Sequence, residues 1–337
     1  MVDGTWVSLI DIINADPIEL LGRDVVDEFG PRLPFLLKIL AAERPLSLQV
    51  HPSLGQAKEG YAREEALGIG RSDPMRTYRD RQHKPELICA LTEFRTRSGF
   101  RPPQEAAAVL SSLDVAGLRP YVTRLRAGDL QDVFWSLWAL APVEQANLVA
   151  SVATASVGRD GEVGDAGRLA MAFPGDIGVV VALLLKPVTL APGEALFAPA
   201  GRLHSYLGGV GVEIMANSDN VVRAGLTTKH VNLGELEAIL HIRPEEVCPQ
   251  QPEIRANGEF VYPCPTPDFA LARVQLDGVR AFEAKVSGPE LLLVVGGDVT
   301  IGGLQLGRGD AAFVAAKDSS YRLQGGPAEV FRATCGV

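Results

Sequence analysis

The sequence predicts a mainly β protein with an α-helical insert, arranged as two barrels or jelly rolls. Short apolar segments separated by Gly, Pro and Asp turns occupy 31–102, 171–243 and 244–337, and this pattern is typical of barrels and jelly rolls. In 103–170, apolar residues recur at helical spacing. We therefore expect one barrel formed by 31–102 with 171–243, a helical insert within it, and a second barrel at the C-terminus. The N-terminal segment 1–30 combines short helical patterns with acidic residues.

Three short segments in the first half have the texture of strands. These are 36–40, 46–50 and 86–91. Alternation in the second segment places Ser47, Gln49 and His51 on one face. The charged stretch 55–82 lies between them and is predicted to be an exposed helix and loop.

Later segments give three further expectations. The apolar run 177–185 is predicted to be a buried strand, and strand texture continues from there to about residue 222. The run 291–295 followed by Gly-Gly-Asp is predicted to be a hairpin. Trp135 and Trp138, inside the helical insert, are expected to pack in its core.

Charge and cysteine content exclude several classes of protein. A net charge of −9 with no basic run argues against nucleic acid or acidic membranes as partners, but a small anionic substrate fits if a few cations converge on one pocket. No apolar run is long enough to span a bilayer, and no signal-peptide pattern opens the sequence. The four cysteines form no CxxC pair, so we expect reduced thiols and a cytoplasmic location.

Three short motifs carry residues that bind metals. Gln49 and His51 share a strand face, Glu86 follows a lysine at strand parity, and His204 comes directly after a Pro/Gly turn. Taken singly, each motif is more often structural. Two histidines and a carboxylate from three strands of one barrel nevertheless form the ligand set of a catalytic zinc site, which iron, manganese or cobalt could also occupy.

The segment 213–229 is an unusually polar end to an apolar strand. It is either a solvated loop or a substrate loop in which Arg223 and Lys229 bind a sugar phosphate or a developing enediolate.

Three sequence blocks resemble the type I mannose-6-phosphate isomerase family. They are 46–52 (LSLQVHP), 83–87 (HKPEL) and 213–229 (EIMANSDNVVRAGLTTK), in the family's order, and the resemblance extends from about Val7 to the C-terminus. The resemblance implies one zinc ion per chain, bound by Gln49, His51, Glu86 and His204. It also implies that Arg223, Lys84 and Asp219 are catalytic. The residues implied to bind substrate are Ser47, Tyr206, Glu213 and Lys229.

The family also implies a fold and a reaction. Its fold is a metal-binding cupin barrel, a helical insertion and a second cupin-like barrel. Its reaction interconverts mannose 6-phosphate and fructose 6-phosphate through a cis-enediol. Asp219, Glu213, His51 and a metal-coordinated water all stay open as the group that transfers the proton. The implied partner is the sugar phosphate, and the sequence leaves monomer and homodimer open.

The sequence departs from the family in one respect and leaves two rival functions open. Family members usually carry about fifty further residues ahead of the start of this sequence, including an Asn-x-x-Trp-Gly block that it does not contain. A catalytically impaired cupin that only binds sugar phosphate is therefore an alternative. A cupin iron oxygenase is a second, permitted by the His/carboxylate set but disfavoured by Gln49 and the cationic loop.

Overall fold

The computed structural model describes residues 7–336. Three short helices open this range: α1 (Leu9–Ala15), α2 (Pro17–Leu21) and α3 (Arg23–Phe29). The Ser8 hydroxyl caps α1, and the Asp16 carboxylate caps α2, where Pro17 occupies the first helical position and needs no hydrogen-bond donor. The helical pattern predicted for 1–30 is thus present from Leu9 onward, and residues 1–6 lie outside the described range.

Eight strands form one connected sheet around a single long strand. Its members are β1 (Phe35–Ala42), β2 (Gln49–Val50), β3 (Glu86–Ala90), β4 (Phe94–Phe100), β5 (Leu185–Leu190), β6 (Ala195–Ala198), β7 (His204–Ala216) and β8 (Val222–Arg223). β7 pairs antiparallel with β1, β2, β3 and β4. Strands from both sides of the helical region therefore belong to one sheet.

The helices lie mainly between β4 and β5. They are α5 (Pro103–Ser112), α6 (Arg119–Arg126), α7 (Leu130–Trp138), α8 (Pro142–Ala155), α9 (Gly161–Ala172) and α10 (Gly178–Ala182). Two others flank the sheet: α4 (Leu54–Ala66) after β2, and α11 (Leu233–Ile239) after β8. Trp135 and Trp138 pack against the buried helical core, as expected. The helices continue to Ala182, beyond the predicted end at residue 170.

The prediction of a buried strand at 177–185 is wrong. Most of this segment is α10 and the turn after it, and β5 begins only at Leu185. The segment is fully buried, with Val179, Val180 and Val181 at 0% exposure. A short run that is apolar on every side has the same pattern in a buried helix as in a buried strand, so periodicity could not distinguish the two.

The C-terminal region contains two sheets over a shared core. Their strands are β9 (Glu253–Ile254), β10 (Glu259–Tyr262), β11 (Ala270–Leu276), β12 (Phe282–Lys285), β13 (Glu290–Gly296), β14 (Val299–Ile301), β15 (Leu304–Leu306), β16 (Ala311–Val314), β17 (Ser320–Gly325) and β18 (Ala328–Thr334). One sheet has the order β16-β13-β18-β11-β10-β9 and the other β12-β17-β14-β15. Apolar side chains of both sheets form one cluster, as in a two-layer β structure.

The hairpin predicted after 291–295 is also wrong. β13 pairs with β16 and β18, whereas β14 belongs to the other sheet and forms its hairpin with β15. Gly297 lies at the corner between the two sheets with φ +69°, and a Cβ there would lie 2.2 Å from the Pro327 carbonyl oxygen. The glycine is required by this close approach and not by a two-residue turn.

One apolar cluster joins the N-terminal helices, the eight-stranded sheet and the C-terminal sheet. It includes Leu21 of α2, Leu87 of β3, Val212 of β7 and Phe331 of β18, all fully buried. The protein is thus a mixed structure of β-sheets and helices, in which the short N-terminal helices pack onto both sheet regions. No helix within 7–336 is both long and apolar enough to cross a membrane.

Candidate metal centre and adjoining cleft

Three strands bring two histidines and a glutamate together in the interior. His51 directly follows β2, Glu86 is the first residue of β3, and His204 is the first residue of β7. Their side chains are 0%, 2% and 0% exposed, and one ligand atom from each lies within 4.8 Å of the others. These are three of the four residues implied as metal ligands.

The Glu86 carboxylate lies between the two imidazoles. Glu86 Oε1 is 3.3 Å from His51 Nε2, and Glu86 Oε2 is 3.3 Å from His204 Nε2. Zinc bonds of about 2.0–2.1 Å in a tetrahedral site place neighbouring ligand atoms roughly 3.3 Å apart. The carboxylate thus approaches each ring at about the ligand–ligand spacing of such a site, through a different oxygen in each case.

Backbone carbonyls fix the tautomer of both rings. His51 Nδ1–H donates to the Asn220 carbonyl at 2.8 Å, and His204 Nδ1–H donates to the Arg202 carbonyl at 3.0 Å. Each Nε2 then carries a lone pair directed toward Glu86. His51 Nε2 is buried and has no hydrogen-bond partner among the described residues, which is a costly state unless a metal binds there.

Electrostatics favour the protonation states that a metal requires. Burial lowers the pKa of His51 against the opposing attraction of Glu86, so the neutral imidazole is favoured. Burial alone would raise the pKa of Glu86, but His51, Lys84 and His204 outweigh it and hold that pKa well below the ordinary value. An ionised carboxylate and a neutral imidazole, as favoured for Glu86 and His51, are forms that bind zinc.

A tight turn sets the direction of His204. Gly201 has φ +80°, and its amide donates to the His51 carbonyl at 3.0 Å, so the turn connects the two metal-ligand strands directly. A Cβ at Gly201 would lie 2.4 Å from His241 Nδ1, which leaves no room for a side chain. His241 itself is exposed at the surface.

Gln49 is the register neighbour of two site residues. It pairs with His204 on one side and with Arg223 on the other. Directly paired residues of antiparallel strands lie on the same face, so Gln49 stands between the metal ligands and the arginine. Only Gln49 and Val50 of the predicted strand 46–50 have strand geometry, although Leu48 N–H still bonds to the Gly225 carbonyl.

Lys84 and His83 point in opposite directions, as strand parity predicts. Lys84 Nζ lies 2.9 Å from Glu86 Oε1, while His83 Nε2 lies 2.8 Å from Asp268 Oδ2 in the C-terminal region. Burial would lower the pKa of Lys84, but Glu86 outweighs it and raises that pKa above its ordinary value. Lys84 is therefore a charged contact of the metal centre, and His83 links two regions of the fold.

A cleft of about 610 Å³ opens beside Lys84. Its lining residues are Ser72, Pro74, Arg76, Thr77, Arg79, Lys84, Asp219, Val221, Arg223, Thr228, Lys229 and His230. Arg79, Arg223 and Lys229 form no ion pair with any carboxylate in the described part of the chain. Burial and the like charge of Arg79 lower the pKa of Arg223. Three uncompensated cations in a protein of net charge −9 favour an anion in this cleft.

The remaining residues implied to bind substrate lie outside the cleft lining. Tyr206 is buried, with its ring 5.9 Å from that of His204. Glu213 is 2% exposed and pairs with Lys38 at 2.7 Å. Burial and the charge of Glu86 raise the pKa of Glu213. Ser47 is half-buried and makes no side-chain hydrogen bond within the described residues.

Two features of the site were missed by sequence reasoning. Arg79 lies in the stretch treated as exposed helix and loop, yet it lines the cleft. Asp80 and Asn220 bind each other's loops by hydrogen bonds across 140 positions of sequence. A basic residue a few positions before the HKPE motif was an available signal for Arg79; nothing local pointed to the Asp80–Asn220 pair.

Known proteins resemble this chain over nearly its whole length. A family model described as "Phosphomannose isomerase type I, catalytic domain" matches residues 2–103. The mannose-6-phosphate isomerase of Escherichia coli is 38% identical over 333 residues, covering 96% of this chain and 84% of the relative. The human mannose-6-phosphate isomerase is 32% identical, covering 95% of this chain and 82% of the relative.

Solved structures agree with the sequence comparisons. A zinc-bound crystal structure of mannose 6-phosphate isomerase superposes with TM-score 0.90 at 33% identity, covering 98% of this chain and 86% of that one. A variant of the Salmonella typhimurium phosphomannose isomerase superposes with TM-score 0.91 at 32% identity, covering 100% and 87%.

His51→Ala should lower zinc affinity by at least about a hundredfold, because losing even an outer contact of a metal site costs roughly ten- to a hundredfold. His83→Ala is the matched control, since His83 is the histidine three positions before Glu86 that points away from the centre. Competition with a chromogenic chelator measures both affinities. Equal zinc binding by wild type and His51→Ala would remove His51 from the centre.

Proposed function

The chain belongs to the type I mannose-6-phosphate isomerase family, and on that premise we propose that it interconverts mannose 6-phosphate and fructose 6-phosphate through a cis-enediol. The observation that carries the proposal is a buried His–Glu–His centre beside a cleft with three uncompensated cations. A metal centre alone fits many reactions. A metal centre next to a strongly cationic cleft fits the isomerisation of an anionic sugar.

We assign one zinc ion to a centre formed by Gln49, His51, Glu86 and His204. The assignment is supported by the orphaned His51 Nε2, by the 3.3 Å spacings around Glu86 and by the register position of Gln49 next to His204. When bound, zinc supplies Lewis acidity that polarises the sugar carbonyl, an effect worth several kcal/mol. The nitrogen and carboxylate ligands suit zinc better than they suit magnesium or calcium.

The cleft cations account for selection of a phosphorylated sugar. We propose that Arg79 and Lys229, both exposed at the cleft and without a carboxylate partner within residues 7–336, bind the phosphate. Arginine and lysine form strong charge-assisted hydrogen bonds to phosphate oxygens. The volume of about 610 Å³ lies within the range of small-molecule sites, so a hexose phosphate fits.

Arg223, Lys84 and Asp219 are proposed to act at the reacting carbons. Arg223 is the register neighbour of Gln49, so its guanidinium can stabilise negative charge on the substrate oxygens, worth on the order of 3 kcal/mol. Lys84 connects the cleft to Glu86 through its 2.9 Å contact. Asp219 is an exposed carboxylate of the cleft lining.

Two other candidates for proton transfer are already engaged. His51 directs Nε2 toward the metal centre and donates Nδ1–H to a carbonyl, so neither nitrogen is available as a base. Glu213 is buried and paired with Lys38. We propose that Glu213, Tyr206 and Ser47 instead support the pocket from behind, a role in keeping with Tyr206 packing against the His204 ring.

The finer architecture follows the family fold. We propose a metal-binding cupin barrel built from 31–102 and 183–243, a helical domain that runs from residue 103 to Ala182, and a second cupin-like barrel at 244–337, preceded by the helices within 9–29. Support comes from the single sheet that joins strands before and after the helices, and from the two C-terminal sheets over one core. The four cysteines are free, which fits a reducing compartment, and we propose a cytoplasmic location.

The alternative of an impaired sugar-phosphate-binding protein is not favoured. The Escherichia coli relative, of which 84% is covered by this chain, is a mannose-6-phosphate isomerase. The residues of the metal centre and of the cleft are present in this chain. The iron oxygenase alternative has no support from the cleft, whose cations such a reaction does not require.

Arg223→Ala should lower kcat at least about a hundredfold, because the variant loses fixed positive charge next to the developing oxyanion. Its zinc content should stay at the wild-type level, since Arg223 is not a metal ligand. A coupled assay for fructose 6-phosphate measures kcat, and metal analysis measures zinc. A fully active Arg223→Ala, or wild-type protein with zinc but without isomerase activity, would contradict the proposed function.

Arg79→Ala should raise KM for mannose 6-phosphate about ten- to a hundredfold with a smaller change in kcat, because a hydrogen bond to a charged group is worth about 1.5–3 kcal/mol. Arg243→Ala, which removes an exposed arginine outside the cleft lining, is the matched control and should leave KM unchanged. Steady-state kinetics at low ionic strength provide the measurement. Equal KM values for the two variants would exclude Arg79 from phosphate binding.

A further inference from the structure

We propose that Asp80 and Asn220 form a latch that positions the metal ligand His51 and holds the two walls of the cleft at their working distance. Two loops take part: 79–85, which leads into β3, and 217–221, which joins β7 to β8. Both residues act through others and are positioning residues. The inference rests on the proposed function, because it concerns how the same site is held together.

The Asp80 carboxylate binds the opposite loop. Its Oδ1 accepts from the Ser218 hydroxyl at 2.9 Å, and its Oδ2 accepts from the Asp219 N–H at 2.8 Å. Oδ1 also accepts from the Gln82 N–H of its own loop at 2.8 Å. Hydrogen bonds to an ionised acceptor are the strong ones, so this carboxylate fixes the loop that carries Asp219.

The Asn220 side chain in turn forms hydrogen bonds with the backbone of the 79–85 loop. Its amide Nδ2 donates to the Asp80 carbonyl at 2.9 Å and to the Gln82 carbonyl at 2.8 Å, and its Oδ1 accepts from the Arg79 N–H at 2.8 Å. Asn220 is 0% exposed, so its side-chain amide would be left unsatisfied in the interior if these partners moved. The two side chains thus hold each other's backbone reciprocally.

The latch reaches the metal centre through one atom. The Asn220 carbonyl oxygen accepts the His51 Nδ1–H at 2.8 Å, so the residue that locks the loops also sets the tautomer and plane of the ligand ring. Such outer contacts orient a metal ligand and raise its basicity. Loosening Asp80 frees the 217–221 loop, and the Asn220 carbonyl then no longer holds the ring in place.

The latch also spans the cleft. The 79–85 loop carries Arg79 and Lys84, whereas Asp219 lies within 217–221 and Arg223 two residues beyond it. All four line the cleft, so the hydrogen bonds between the loops set the distance between the phosphate-binding and reacting parts of the site. A shift of about 1 Å in such groups costs on the order of a hundredfold in rate.

Asp80→Asn tests the latch with a nearly isosteric change that replaces one acceptor oxygen by a donor facing hydroxyl or N–H groups. We expect zinc affinity, measured by chelator competition without substrate, to fall about ten- to a hundredfold. The visible spectrum of the cobalt-loaded variant should also differ from wild type, because that spectrum reports ligand geometry. At saturating zinc, kcat for mannose 6-phosphate should fall and KM should rise.

Two further variants sharpen the test. Ser218→Ala removes one donor to Asp80 and should give a smaller change in the same direction, and it replaces Asp80→Asn should that variant fail to fold. Asp277→Asn is the matched control, since Asp277 also accepts two backbone N–H groups, from Val279 and Arg280, in an exposed turn of the C-terminal region. It should keep wild-type zinc affinity and kinetics.

The outcomes separate the latch from the proposed function. A role in folding alone predicts a lower unfolding temperature for metal-free Asp80→Asn with unchanged zinc affinity, cobalt spectrum and kcat, and that result overturns the latch. Failure of wild-type protein to bind zinc or to isomerise mannose 6-phosphate overturns the proposed function instead.

Discussion

The structure of the site depends on one buried carboxylate. Glu86 is 2% exposed, and an isolated charge at that depth is too costly to persist. Its two oxygens face His51 Nε2 and His204 Nε2, and Lys84 lies 2.9 Å from Oε1, so cationic or metal partners must surround it. A divalent ion at this point satisfies the carboxylate and both ring nitrogens at once. The long strand β7, which pairs with β2 and β3, brings these residues to one place.

Much of the site could be predicted because strand geometry is a local property. Strand alternation predicted Lys84 beside Glu86 and His83 turned away, and the contacts of all three agree, although β3 itself begins only at Glu86. The contacts between the loops could not be predicted from the sequence. Asp80 and Asn220 meet through hydrogen bonds that cross 140 positions, and no periodicity in either loop encodes that contact. Arg79 was missed for a different reason: its position shortly before the HKPE motif was a usable signal, but only the folded loop brings it to the cleft.

The fold was predictable to the level of sheets and helices but not at every junction. The predicted strand at 177–185 is largely the helix α10, because a run buried on all sides carries no periodic signal. Gly297, directly after β13, marks a change of sheet and not a hairpin, because β13 pairs with β16 and β18 while β14 pairs with β15. Helices such as α7 and α8 could be predicted, because their apolar residues recur at helical spacing within the helix itself.

We propose above all that two imidazoles and the Glu86 carboxylate bind zinc in a tetrahedral centre of an active isomerase. X-ray absorption at the zinc edge of the active protein tests this most directly. We expect nitrogen and oxygen neighbours at about 2.0–2.1 Å, together with the outer-ring scattering of two histidines. Sulfur neighbours at about 2.3 Å, or a shell of water without imidazole scattering, would contradict it.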